Sequence, residues 1–245
     1  MLYASATTTR NSTMSTSETR LQVAQVGLLS LFVTALVTAQ VTASKVLAFE
    51  LPVSVPIAGE TLFLPGAALA YALTFFASDC YAELYGRRAA QIMVNVAFAM
   101  NFVLLALIWG TIYAPIAPPS ATSVGQTEFA NVLGASTGIV VGSLAAYIVS
   151  QNWDVIVFHR IREATDGESL WLRNIGSTAT SQLLDTVIFI SIAFVIFQGA
   201  TLDFALQLIV GQYLLKLLIA LADTPFVYLV VGLVRSQDES HSIAE

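Results

Sequence analysis

The chain has 245 residues, of which 56% are hydrophobic and 11% charged, and its mean hydropathy is +0.76. Soluble domains carry about 25% charged residues, so the deficit excludes an ordinary soluble domain and points to an all-α, polytopic membrane protein. Sixteen acidic residues against ten basic ones give a net charge of −6, a balance suited to a salt-adapted organism, and the single cysteine, Cys80, excludes an intramolecular disulfide framework.

Residues 1–20, "MLYASATTTRNSTMSTSETR", are rich in Ser and Thr and contain no apolar core. They read as a disordered leader rather than a cleaved signal. Residues 21–235 then hold six expected spans: Gln22–Leu47, Leu62–Glu83, Ala90–Tyr113, Phe129–Phe158, Thr178–Phe197 and Phe204–Val234. The fourth and sixth exceed the thickness of a bilayer, so they are expected to tilt or protrude. Residues 236–245, "SQDESHSIAE", form a short acidic tail, also expected to be disordered.

Arginine positions set an orientation. Arg10 and Arg20 precede the first span, Arg87 and Arg88 separate the second and third, Arg160, Arg162 and Arg173 separate the fourth and fifth, and Arg235 follows the sixth. The other three loops carry no Lys or Arg, only Glu50, Glu60, Glu128 and Asp203. The positive-inside rule then places both termini in the cytoplasm. Between the first two spans, "FELPVSVPIAGETLF" is expected either as a short hairpin or as an irregular connection.

Two rows of small residues recur at four-residue intervals. Gly134, Gly138, Gly142 and Ala146 lie in the fourth span and are read as internal packing. Ala35, Ala39 and Ala43 lie in the first, where the sharper reading is a docking face for a coupling subunit or a second copy.

Polar residues inside the spans fall into stripes of helical period. The fourth span carries Ser143, Tyr147, Gln151 and Asp154; the fifth Thr178, Ser181, Gln182 and Asp185; the sixth Gln212, Lys216 and Asp223; the first Thr34, Thr38, Thr42 and Lys45. Ionisable groups at membrane depth cost roughly 2.5–3.5 kcal/mol each, so they face a cavity or a partner. Lys45 and Lys216 are the only lysines in the chain, and both fall in or beside spans. Spread over several helices, these groups imply one shared polar cavity. Asp79 and Glu83, four residues apart at the end of the second span, sit near the cytoplasmic side. Arg87 follows Glu83 at i, i+4, a favourable spacing if the helix continues, but Gly86 is expected to end it. This group suits an inner gate or anchor, with Asp79 deep enough to reach the cavity.

Nothing in the sequence carries catalysis or calls for a cofactor or metal. The only histidines are His159, beside Arg160 at a helix end, and His241 in the tail, and no HExxH, GxSxG, phosphate-binding glycine loop or Cys/His cluster is present.

Four segments then carry a family resemblance. "SDCYAELYGRRAA", "SLAAYIVSQNWDVIVFHRIRE", "LWLRNIGSTATSQLLDTVIF" and "YLLKLLIALADTPFVY" resemble, in order and spacing, the queuosine precursor transporter family, over roughly Thr38–Val234. That family in turn resembles the vitamin-uptake substrate-binding subunits of ECF transporters. The resemblance implies import of a 7-deazaguanine, such as 7-cyano-7-deazaguanine, for a modified tRNA base, queuosine in bacteria or archaeosine in archaea. The matching positions are Lys45, Asp79, Glu83, Gly86, Gln151, Asp154, Arg173, Ser177, Thr178, Gln182, Asp185 and Lys216. One departure is Gln40, where the family pattern has an Asn five residues before the first lysine.

A guanine-type ring suits such stripes. Its adjacent N1–H and amino donors match a carboxylate, either Asp185 or Asp154, and its carbonyl matches Lys216 or an amide from Gln151 or Gln182. Its face matches Tyr147, Trp153 or Tyr213. Two other readings compete: a substrate subunit for another flat heterocycle, driven by a separate ATPase because the chain has no Walker motif, and a non-transporting bundle whose charges pair internally.

Overall fold

The computed structural model describes residues 3–118, 120–166 and 170–242. The side chains of Arg10, Arg20, Arg173 and Arg235 lie outside the part described. The order is helix α1 (Tyr3–Thr42), strands β1 (Val46–Val55) and β2 (Gly59–Pro65), then helices α2 (Ala68–Tyr85), α3 (Arg87–Tyr113) and α4 (Gln126–Gly134). Helices α5 (Ser136–Ala164) and α6 (Leu170–Ile190), a π-helical turn (Ser191–Ile196) and α7 (Leu202–Ser242) complete it. Among the described residues, five helical stretches are long and apolar enough to cross a bilayer: Leu21–Thr42, Arg87–Tyr113, Gln126–Ala164, Ile175–Ile196 and Leu202–Val234. Helix α2, with 18 residues, is about 27 Å long, slightly under the roughly 30 Å of bilayer hydrocarbon.

The strands form the short hairpin that was one of the two expectations for this loop, within an otherwise helical chain, and they correct the first two span boundaries. Residues 46–47, expected to finish the first span, begin β1, and residues 62–65, expected to start the second, belong to β2. The pair is antiparallel, with Val46 opposite Pro65 and Glu50 opposite Thr61, and the register is irregular between Glu50 and Val55. Val, Phe and Leu along both arms suit a pleated surface, while Pro52 and Pro56 withhold the donor a helix needs. Lys45 consequently sits in the turn between α1 and β1, exposed and off the threonine stripe of α1.

Other boundaries follow local chemistry. Gly86 has φ +87°, a left-handed conformation, and α2 stops just before it. Glu83 and Arg87 therefore belong to different helices rather than to one continuous turn. The fourth span is broken at Ala135 into α4 and α5, and the fifth ends in the π-helical turn.

The chain packs as two units. One comprises Met1–Leu36, Ala70–Ala97 and Leu218–Glu245. Its core joins Leu28, Phe32 and Leu36 of α1, Ala77, Cys80 and Tyr81 of α2, Ala90 and Met93 of α3, and Val231 of α7. Gln25 Nε2 donates to Tyr81 Oη at 2.9 Å, and Tyr85 Oη donates to the Leu21 carbonyl at 2.7 Å, tying α1 to α2.

The other unit comprises Val37–Leu69 and Phe98–Leu217. Here α5 lies along α6 and the π-helical turn. The closeness of that approach depends on glycine: a Cβ on Gly142 would lie 3.2 Å from the Phe189 carbonyl oxygen, and one on Gly138 would lie 2.6 Å from Phe197 Cβ. The glycine row of the fourth span is thus an internal packing surface. The alanine row of α1 is a correction, because Ala35, Ala39 and Ala43 are all buried within the chain and offer no free docking face.

Gly138→Leu should force α5 away from Phe197 at a cost of about 1–3 kcal/mol, lowering the melting temperature in detergent. Gly110→Leu, where nothing lies within 4 Å of the added carbon, is the control expected to melt like the parent. Equal melting of both variants would contradict the packing.

Candidate functional site

Within the second unit, three helices bring polar side chains together. Lys216 of α7 is only 7% exposed, and its Nζ donates to Asp185 Oδ2 of α6 at 2.6 Å. Ser150 of α5 donates through Oγ to Asp185 Oδ1 at 3.4 Å, so the carboxylate is approached from two sides. One turn along, Ser181 Oγ donates to Asp154 Oδ1 at 3.2 Å. An ion pair removed from water loses several kcal/mol of hydration per ion, so this one depends on its short, charge-assisted contact.

The expected α5 stripe is shifted. Ser143, Tyr147, Ser150 and Asp154 follow one buried or half-buried face, whereas Gln151 is exposed. Ser150 was missed because a short hydroxyl in an apolar helix stands out less than a glutamine. The spacing 143–147–150–154 was the available signal. The aromatic candidates are already engaged: Tyr147 stacks on Phe98 with centroids 4.5 Å apart, Trp153 Nε1 donates to Thr180 Oγ1, and Tyr213 Oη donates to the Ala179 carbonyl. Gln182 is half-buried on α6, facing the same helical sector as Asp185 at i, i+3, while Thr178 is exposed.

Hydroxyls within the helices find a local answer. Thr186 donates to the Gln182 carbonyl at 2.8 Å and Ser181 to the Thr178 carbonyl at 3.0 Å, both inside their own helix. The buried amides differ. Among the described residues, Gln40 Oε1, Gln212 Oε1 and both amide atoms of Asn101 have no hydrogen-bond partner, although Gln40 is 2%, Gln212 5% and Asn101 1% exposed. Each unmet polar group of this kind costs about 1–3 kcal/mol. Gln212 lies one turn from Lys216 on α7. Asn101 was not singled out in the sequence, where a lone Asn in an apolar span breaks no visible pattern.

The first unit holds a separate cleft of about 320 Å³, lined by Asp79, Glu83, Arg87, Val227 and Tyr228 among others. The acids and the arginine of the "DCYAELYGR" segment share this cleft. Asp223, expected on one stripe with Gln212 and Lys216, is half-buried in this unit, and its Oδ2 lacks a partner among the described residues.

Comparison with known proteins gives two matches. Residues 65–230 match the family described as "Putative vitamin uptake transporter". Over 171 residues the chain is 33% identical to the "Probable queuosine precursor transporter" of Bacillus subtilis (strain 168), covering 69% of this chain and 72% of the relative. No solved structure matches.

The buried pair makes a stability prediction. Lys216→Met leaves the Asp185 carboxylate without its cation and should cost about 3–5 kcal/mol, whereas Lys216→Met with Asp185→Leu should recover most of that loss. Thermal unfolding in detergent measures both, and a single variant as stable as the parent would contradict the pairing.

Proposed function

The chain belongs to the vitamin uptake transporter family, and from that premise we propose that its cargo is a 7-deazaguanine, such as 7-cyano-7-deazaguanine, imported for salvage into a modified tRNA base. The protein is a multi-pass transporter of the cell (plasma) membrane and not an enzyme. Its small-molecule substrate is assigned to the transmembrane part of the chain, residues 21–235, with 1–20 and 236–245 as polar flanks.

The observation that supports the reading is the buried Asp185–Lys216 pair, with the unpartnered amide oxygen of Gln212 one turn from Lys216 on α7. A carboxylate has about four acceptor positions, so Asp185 can keep Lys216 and Ser150 and still accept from the exocyclic amino group of a guanine-type ring. Lys216 has three N–H donors, of which one serves Asp185 and another suits the acceptor ring nitrogen beside that amino group. Gln182 is assigned as a further amide reader, Asp154 as a second acceptor and Tyr147 or Tyr213 as ring neighbours, while the exposed Gln151 falls outside this face. Lys45, in its exposed turn, is assigned to the entrance. Asp79, Glu83 and Arg87, which line one cleft of the first unit, are assigned to a gate.

We further propose six passes with both termini cytoplasmic, α2 being the short one, because the arginines alternate with loops that hold only acids. A C-terminal green fluorescent protein should be fluorescent, and alkaline phosphatase at the same point inactive. The reverse pattern would overturn the orientation. A coupling ATPase remains the competing energy source, and the buried alanine row leaves it no docking face there. Uptake by the purified chain in liposomes without ATP favours autonomous transport.

The cargo is tested in cells unable to synthesise 7-deazaguanines. Supplied 7-cyano-7-deazaguanine should restore tRNA modification when this chain is expressed. Asp185→Asn, Lys216→Met and Gln182→Ala should each reduce uptake at least about tenfold. No rescue by the parent chain, or full uptake by all three variants, would sink the reading.

A further inference from the structure

We infer that Asn101 of α3 is a specificity-determining residue of the transport site, its amide reading the carbonyl edge of a planar heterocyclic cargo, Nδ2 donating to the ring carbonyl and Oδ1 accepting from the adjacent ring N–H. The inference rests on the cargo reading above and deepens it.

The first support is the state of the amide itself. Asn101 is 1% exposed, and neither Oδ1 nor Nδ2 has a partner among the described residues. Because both atoms are unmet, exchanging the oxygen and nitrogen positions does not change the conclusion. An asparagine in a helix has a local escape, and this chain uses it elsewhere: Asn152 Nδ2 donates to the Ile148 carbonyl one turn back, at 2.7 Å. Asn101 does not turn back in this way. A side chain held with its amide unmet in a water-poor interior is the complement of a ligand that brings its own donor and acceptor.

The second support is register. Phe98, three residues before Asn101, stacks on Tyr147 of α5 with ring planes 15° apart. Trp109, eight residues after, donates Nε1 to Thr137 Oγ1 of α5 at 2.9 Å. These two anchors run α3 antiparallel to α5 and place Asn101 near the level of Leu144, beside buried Ser143. Ser150, which donates to Asp185, is six residues from Leu144. That separation is about 9 Å along the helix axis, close to the long dimension of a substituted fused bicyclic ring. The ion pair and the Asn101 amide therefore suit opposite ends of one flat cargo.

The test uses the full chain in nanodiscs, with calorimetric binding of 7-cyano-7-deazaguanine and of a 7-deazaadenine. Asn101→Leu should melt at or above the parent temperature without ligand, yet bind 7-cyano-7-deazaguanine at least tenfold more weakly. Asn101→Asp keeps an acceptor and loses the donor, so it should narrow the preference for the carbonyl-bearing ring over the amino-bearing ring about tenfold. Should the leucine variant fail to fold, Asn101→Ser and Asn101→Asp carry the same comparison. Parent-like binding and preference in the folded variants would overturn the inference while leaving the cargo reading intact. A ligand-free melting loss as large as that of Lys216→Met, with ring preference unchanged, would make the amide structural and also overturn it. A parent chain that binds neither ring would remove the cargo reading and this inference together.

Discussion

Inside a bilayer a polar side chain has no water to fall back on, and the interior of this protein is arranged around that constraint. The Lys216–Asp185 contact at 2.6 Å is its sharpest expression, because each group makes the other tolerable at that depth. Ser150 then takes the second carboxylate oxygen. Hydroxyl groups elsewhere turn onto carbonyls of their own helix, so the helices stay satisfied without neighbours. Among the described residues, the buried polar groups left unmet are amide atoms of Gln40, Asn101 and Gln212, the Ser136 hydroxyl and Asp223 Oδ2.

The polar centre exists only because the helices around it approach closely. Gly138 and Gly142 remove the side chains that would hold α5 away from the π-helical turn, and Phe189 and Ala193 fill the space. Once α5 lies against α6, Ser150 reaches Asp185 and Asp154 reaches Ser181. The π-helical turn ends this packing with Phe194 fully buried. Small residues in one sector of α5 thus position charged and hydroxylic groups in the next.

The antiparallel hairpin shows how local chemistry cuts across a hydropathy profile. Residues 46–65 are apolar enough to extend both neighbouring spans, yet the prolines and β-branched residues favour paired strands over helix. The same element moves Lys45 off the helix and into an exposed turn. At the other break, the positive φ of Gly86 separates two acids from an arginine that would otherwise share their helix, and all three side chains come to line one cleft.

The sequence by itself determined the helical membrane class and marked Lys216 and Asp185 among the charges that apolar spans have to accommodate, since charge in an apolar span is costly wherever the span sits. It also carried the family, because the motifs around Asp79, Gln151, Gln182 and Lys216 are local in the chain. Only the tertiary structure decided which partner each group has. Periodicity specifies a face and not a neighbour, so Lys216 had several acids open to it before the packing of α7 against α6 selected Asp185. The same limit hid Ser150 and Asn101 and left Ala35, Ala39 and Ala43 open to a docking role until packing buried them. Burial and unmet hydrogen bonds are properties of the whole packed chain, and no single helix encodes them.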